Sequence, residues 1–136
     1  MHLLQFDGGA NPNPGPCAGA FVLFDNEHTE IASGGGFLPQ GTNNIGEYTG
    51  LILGLRKCRE LGVRKVLVQG DSNLVIQQVT GKWQVKQPHL RVLCIQTQEI
   101  VAHFEEIHFE HIRRELNGHA DRLSDFTLDV KRAWES

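Results

Sequence analysis

Two short apolar runs each end on an aspartate, and that pattern limits the folds open to this chain. Leu3-Leu4-Gln5-Phe6 leads into Asp7, and Val66-Leu67-Val68-Gln69-Gly70 leads into Asp71. Runs of this length, rich in Val, Leu and Phe, predict buried strands, so both aspartates stand where a sheet stops. Glu47 opens a helix-like stretch after Asn43-Asn44-Ile45-Gly46, and Asp121 follows Asn117-Gly118-His119-Ala120 where a last helix begins. Strand ends and helix starts from distant segments can converge on one point. Four carboxylates meeting there repel each other strongly unless divalent cations lie between them. The pattern implies an α/β fold with a two-metal centre acting on phosphodiesters.

The rest of the chain supplies the elements such a centre needs. Strands are expected over 2–7, 19–24 and 30–37, the first two separated by the turn-rich Gly8-Gly9-Ala10-Asn11-Pro12-Asn13-Pro14-Gly15-Pro16. Asp25-Asn26 marks a hairpin between the second and third. A helix is predicted from about 44 to 60, with Ile45, Tyr48, Leu51, Ile52 and Leu55 at helical spacing and Gly62 as its stop. Gly46, Gly50 and Gly54 recur on the edge that carries Glu47. Each costs about 1 kcal/mol against alanine in a helix interior, so this edge is expected to approach another backbone closely. Then come a strand at 63–69, a short helix at 72–79 and a helix from Pro88 to about 103. Residues 105–112 alternate as a strand, with Ile107, Phe109 and His111 on one face, and a last helix is expected over 120–134.

At 136 residues the chain is expected to form one domain, 1–136, large enough to bury a core without staples. No apolar run approaches the roughly 18 residues that span a bilayer, and the N-terminus lacks a signal-peptide pattern. Cys17, Cys58 and Cys94 are scattered, which fits reduced packing thiols in a cytoplasmic protein. The net charge of −3 argues at first sight against nucleic acid. Without the four carboxylates, however, 12 acidic residues face 13 basic ones, and bound Mg²⁺ would offset the excluded four. Zinc is not indicated, since His108 and His111 fall on opposite strand faces and no Cys pair completes a set.

Phe6-Asp7-Gly8-Gly9 with its Asn-Pro-Gly loop, Thr42-Asn43-Asn44-Ile45-Gly46-Glu47-Tyr48, Gly70-Asp71-Ser72 and Asn117-Gly118-His119-Ala120-Asp121 resemble the four signature blocks of type 1 ribonuclease H. They stand in that family's order and spacing across nearly the whole chain. The resemblance implies a five-stranded mixed sheet, three antiparallel strands first and then parallel ones, with helices on both faces. It implies hydrolysis of the RNA strand of RNA–DNA hybrids, leaving 5′-phosphate and 3′-hydroxyl ends. Two Mg²⁺ ions about 4 Å apart, with Mn²⁺ as a substitute, would activate water and stabilise the leaving oxygen. Asp7 is then expected to bridge both ions, Asp71 to hold the one nearer the nucleophile, Glu47 the other, and Asp121 the outer position. Taken singly, each has a plainer explanation: Asp7 as a turn residue, Glu47 as a first-turn acid, Asp71 and Asp121 as caps. The main alternative function is a catalytically silent hybrid-binding module of the same fold, and a strand-transfer or junction nuclease is the next.

Many relatives carry a flexible basic or imidazole group before the last carboxylate. Here Arg114 is the expected counterpart, acting electrostatically because its guanidinium stays charged. His111, on the apolar face of its strand, is expected to be a buried structural imidazole. Asn13, Thr42, Asn43, Asn44, Ser72 and Asn73 are the expected polar contacts to phosphates and minor-groove 2′-hydroxyls. Gly8, Gly9 and Gly15 would let the substrate approach their backbone, and Trp83 would either stack on a sugar or pack. The chain runs from Trp83 through Gln84-Val85-Lys86-Gln87 to Pro88 without the Lys-rich insertion of some relatives. The expectation is a monomer that grips hybrid modestly, with a shallow salt dependence. Cleavage of double-stranded RNA is left open.

Overall fold

The computed structural model describes residues 1–136. Its strands are β1 (His2–Ala10), β2 (Gly15–Phe24), β3 (Glu30–Gly41), β4 (Lys65–Gly70), β5 (Glu106–His111) and β6 (Trp134–Glu135). The helices are α1 (Asn43–Glu60), α2 (Asn73–Val79), α3 (Pro88–Val101) and α4 (Gly118–Val130). The sheet order is β5-β4-β1-β2-β3-β6. β1, β2 and β3 run antiparallel, while β1 with β4 and β4 with β5 are parallel.

Strand parity decides which helices cover which face. On β2, Phe21 and Leu23 join the main core with Tyr48, Leu51 and Leu55 of α1 and with Val75 and Leu90. Ala20 and Val22, of opposite parity, are buried outside that core, and α4 packs against β2, β1 and β3. Helices therefore lie on both faces, as expected. The hairpin turn is fixed by Asp25, whose Oδ1 accepts from the backbone N–H of Glu27 at 2.8 Å and of Thr29 at 3.0 Å. Those bonds hold its carboxyl below the ordinary aspartate range.

The sequence expectation misses in several places, the first being that β1 runs past Asp7 to Ala10, so Asp7 lies inside the strand opposite Ala20, held there by pairing with β2. The sheet has six strands, not five. The last helix also stops earlier than 134, because Lys131 turns left-handed at φ 57 and caps it onto the Thr127 carbonyl. Trp134 and Glu135 then pair with Gly35 and Gly34 on the edge of β3. The Trp134 Nε1–H donates to Thr127 Oγ1 at 2.8 Å, and its ring meets Phe126 edge-on at 5.6 Å. A two-residue strand leaves too little alternation to detect, and its pairing depends on an open edge far away in sequence.

Candidate active site

β1 and β4 stay paired only as far as Phe6 opposite Gly70. Asp7 and Asp71 follow at once, so two carboxylates emerge side by side where the parallel ladder ends. α1 brings the third. Its N-terminus is capped by Thr42, whose hydroxyl accepts from the Ile45 N–H at 3.3 Å, which places Glu47 in the second turn rather than as the first-turn acid its sequence position suggests.

That helix lies unusually close to the strands. A Cβ on Gly46 would stand 2.6 Å from the Ala18 carbonyl oxygen, and one on Gly50 would stand 2.5 Å from that of Asp7. No residue with a side chain fits there. Gly46 and Gly50 thus serve the close backbone approach that the spacing predicts, whereas a Cβ on Gly54 would meet the side chains of Leu4 and Phe21.

Carboxylate oxygens of Asp7, Glu47 and Asp71 lie within 4.8 Å of one another, one from each residue. That spacing suits oxygens shared around one hard cation, whose bonds to oxygen are about 2.0–2.6 Å long. Asp121 is not one of that close set but lines the same cleft of ≈520 Å³, near enough for its side chain to bear on the Asp7 carboxyl. Asp7 is 5% exposed and Glu47 9%. Glu47 Oε2 is buried with no hydrogen-bond partner. Such an orphan acceptor is costly unless something outside the chain completes it. A bound cation would do so, and the all-oxygen donor set fits Mg²⁺ or Mn²⁺ rather than zinc.

The electrostatics agree. Burial pushes the Asp7 carboxyl up to about 7; a hydrogen bond from Glu47 opposes this, and the Asp71 charge adds to it. Burial also raises Glu47 well above the ordinary range, with the Asp7 charge next in weight. The Gly8 N–H bonds toward both groups and only partly offsets the shifts. Two buried carboxyls so close resist ionising together unless a cation offsets their charge.

Arg114 and Asp121 line the cleft with Gly8, Gly9, Asn43, Asn44 and Ser72. Sequence reasoning missed Ser124, Asp125 and Leu128, which line it too. They follow Asp121 at i+3, i+4 and i+7 on α4, a helical signal that was available. Burial raises the Asp125 carboxyl, the Asp121 charge adds to this, and the Arg114 guanidinium opposes it. Arg114 thus sits amid carboxylates at the cleft mouth.

The polar loops interlock. Asn43 Oδ1 accepts from the Ala10 N–H at 2.8 Å, and Asn13 Oδ1 accepts from the Asn43 N–H at 3.1 Å. Both amide oxygens are thereby committed to backbone, and the Nδ2 groups are left as donors. Ser72 caps α2, accepting from Val75 N–H at 3.3 Å. Asn73 Oδ1 accepts from Gln77 Nε2 at 3.1 Å, one turn along that helix.

Some expected roles shift. Gly8 is needed for packing, because a Cβ there would collide with the backbone of Gly46 and Glu47. Gly15 is buried, and its Cβ position is filled by the Pro12 carbonyl at 2.6 Å, so it shapes the proline loop. Only Gly9 has open space at that position, with Asn43 Oδ1 at 3.7 Å. Trp83 is half exposed and lines a separate concavity of ≈300 Å³ with Val85, Arg91 and Ile95. His111 is exposed rather than buried. Strand alternation assigned its side correctly but could not show that the end of edge strand β5 is uncovered. Its Nε2–H donates to the Asp71 carbonyl at 3.2 Å, placing it beside the cleft.

A sheet that sets Asp7 and Asp71 side by side where β1 and β4 cease to pair, completed by a helix on either face, defines an α/β domain with a carboxylate cluster suited to divalent cations. The model of the family described as reverse transcriptase-like matches residues 5–127. The RNase H1 of the halophilic archaeon Halobacterium salinarum superposes with a TM-score of 0.91 at 34% identity, covering 95% of this chain and 98% of that one. LC11-RNase H1, isolated from compost by a metagenomic approach and solved in complex with RNA/DNA hybrid, gives 0.89 at 30% identity over 96% and 98%. The bifunctional protein Rv2228c of Mycobacterium tuberculosis is 38% identical over 129 residues. That match takes in 94% of this chain, which spans only 35% of the mycobacterial relative's length. The chain belongs to the reverse transcriptase-like family and, within it, to ribonuclease H of type 1.

Proposed function

We propose that this chain is an endoribonuclease that hydrolyses the RNA strand of RNA–DNA hybrids, acting as a monomer and leaving 5′-phosphate and 3′-hydroxyl ends. The observation that carries this reading is the partnerless buried oxygen of Glu47 within the Asp7–Glu47–Asp71 cluster. The likeness to LC11-RNase H1, solved with hybrid, supports the substrate.

Asp7 with Asp71 would hold the divalent ion nearer the nucleophile, Asp7 with Glu47 the other, and Asp121 would take the outer position. A divalent ion held by these residues, Mg²⁺ or Mn²⁺, would supply activation of water and charge stabilisation at the phosphodiester. The protein's own groups do the rest. Gly9 leaves its backbone open to a strand lying across β1, and the Asn13 and Asn43 amides donate toward phosphate or 2′-hydroxyl oxygens. Asn44, Thr42, Ser72 and Asn73 border the same path. Arg114 faces the scissile region with a fixed positive charge, opposing the charge that builds on the leaving group. Trp83, beyond the cleft, meets the DNA strand where it leaves the catalytic edge.

Labelled hybrid, DNA duplex and RNA duplex are incubated with Mg²⁺, with and without chelator. The hybrid RNA strand should be cut rapidly and the DNA duplex left intact, and chelator should abolish the cut. Intact hybrid, or cutting that survives chelation, sinks the proposal. Asp71→Asn should still bind hybrid but lose about 10³-fold or more in turnover; near-normal turnover would remove Asp71 from the centre.

A further inference from the structure

We propose that Asn117 is a positioning residue that sets Asp121 against the buried carboxylates by tying the start of α4 to β1; this deepens the nuclease reading and rests on it. Asn117 is fully buried. Its Nδ2–H donates to the Phe6 carbonyl at 2.8 Å, across 111 residues of sequence. Phe6 is the last residue of β1 to pair with β4, so the bond falls where Asp7 and Asp71 leave the ladder. On its other side, the Asn117 carbonyl accepts from the Asp121 N–H at 3.0 Å. A single residue is therefore bonded to the backbone just before one carboxylate and to the backbone of another.

Ordinary helix capping does not explain this side chain. An N-cap asparagine normally accepts from an N–H in the first turn of its own helix. Asn117 makes no such bond, and its Oδ1 is buried without a partner. The amide gives up the capping bond and leaves one acceptor unsatisfied, and its only side-chain hydrogen bond goes to β1. Asp121 lies outside the tight group formed by Asp7, Glu47 and Asp71, so its distance from them is set by where α4 begins. The amide bond is what fixes that start to β1.

Asn117→Ala and Asn117→Ser are made in the wild-type and Asp121→Ala backgrounds and measured below each protein's melting temperature. Serine can cap α4 in the usual way but is too short to reach Phe6, so it serves if the alanine variant fails to fold. In the wild-type background, kcat should fall about 10- to 100-fold with KM for hybrid changed less than about twofold. Mn²⁺ binding to the free protein, read by calorimetry, should weaken about tenfold. In the Asp121→Ala background, the same substitution should change Mn²⁺ affinity and residual turnover by less than about twofold, because its effect runs through Asp121. Equal losses in both backgrounds, or a lowered Tm with kcat and Mn²⁺ affinity retained, would overturn the proposal. Should the wild type leave hybrid intact while Asn117→Ala still weakens Mn²⁺ binding, the nuclease reading falls and the positioning role stands.

Discussion

Glu47 and Tyr48 are neighbours on α1, and both are buried polar side chains, yet the fold treats them in opposite ways. The Tyr48 hydroxyl donates to Gln78 Oε1 at 2.7 Å, and Gln78 is itself buried on α2. The Cys94 thiol of α3 donates to the Gln78 carbonyl at 3.5 Å. This network is closed by the chain's own atoms and joins three helices. Glu47 has an oxygen with no partner and two carboxylates for company. A buried polar group that is satisfied rigidifies a core, whereas one left open is costly unless a partner arrives from outside. One residue completes the fold, and the next prepares a place for cations.

Four outcomes would break or sharpen that contrast. The largest is Glu47→Gln, which keeps the shape and removes the charge: turnover should fall by about 10³-fold while stability in chelator is kept or raised. Normal turnover would mean that the orphan oxygen serves no ion. Next, Gly50→Ala should cost about 3 kcal/mol in urea unfolding, since its Cβ meets the Asp7 carbonyl oxygen at 2.5 Å. An unchanged midpoint would show that α1 can ride higher over β1.

The third outcome is a pH dependence. The Asp7 carboxyl is raised to about 7 in the metal-free protein, and its unfolded value is about 3.9. Between these, the native state holds more protons than the unfolded one, so stability falls as pH rises. In chelator, Tm should therefore drop from about pH 4 to pH 7, and saturating Mg²⁺ should flatten the decline by stabilising the ionised pair. A metal-independent profile would separate the cluster from cation binding. The smallest effect belongs to Tyr48→Phe, expected to cost about 1–2 kcal/mol by stranding Gln78 Oε1 while leaving kcat unchanged. A large loss of activity there would blur the division between the two neighbours.

Much of the site was legible because its residues sit at element boundaries that periodicity locates. Asp7 and Asp71 end apolar runs, Thr42 caps α1, and the glycines of α1 stand every four residues where a helix edge must be bare. Asp125 and Leu128 could have been found by carrying helical spacing on from Asp121. His111 could not, because alternation names a face without saying whether anything covers it. β6 was equally hidden, since its partner is the exposed edge of β3. Asn117 stood in a recognisable block, but its bond to Phe6 spans nearly the whole chain.

By itself, the order of residues determined where most strands and helices run and which carboxylates follow their apolar runs, because backbone propensity and side-chain period act over a few neighbours. Tertiary structure alone decided that three of those carboxylates come within 4.8 Å while Asp121 stays on the cleft wall. It also decided that Trp83 lies apart and that a sixth strand closes the sheet. Those distances follow from how closely α1 and α4 settle on opposite faces of β1 and β2, a packing outcome that no local pattern encodes.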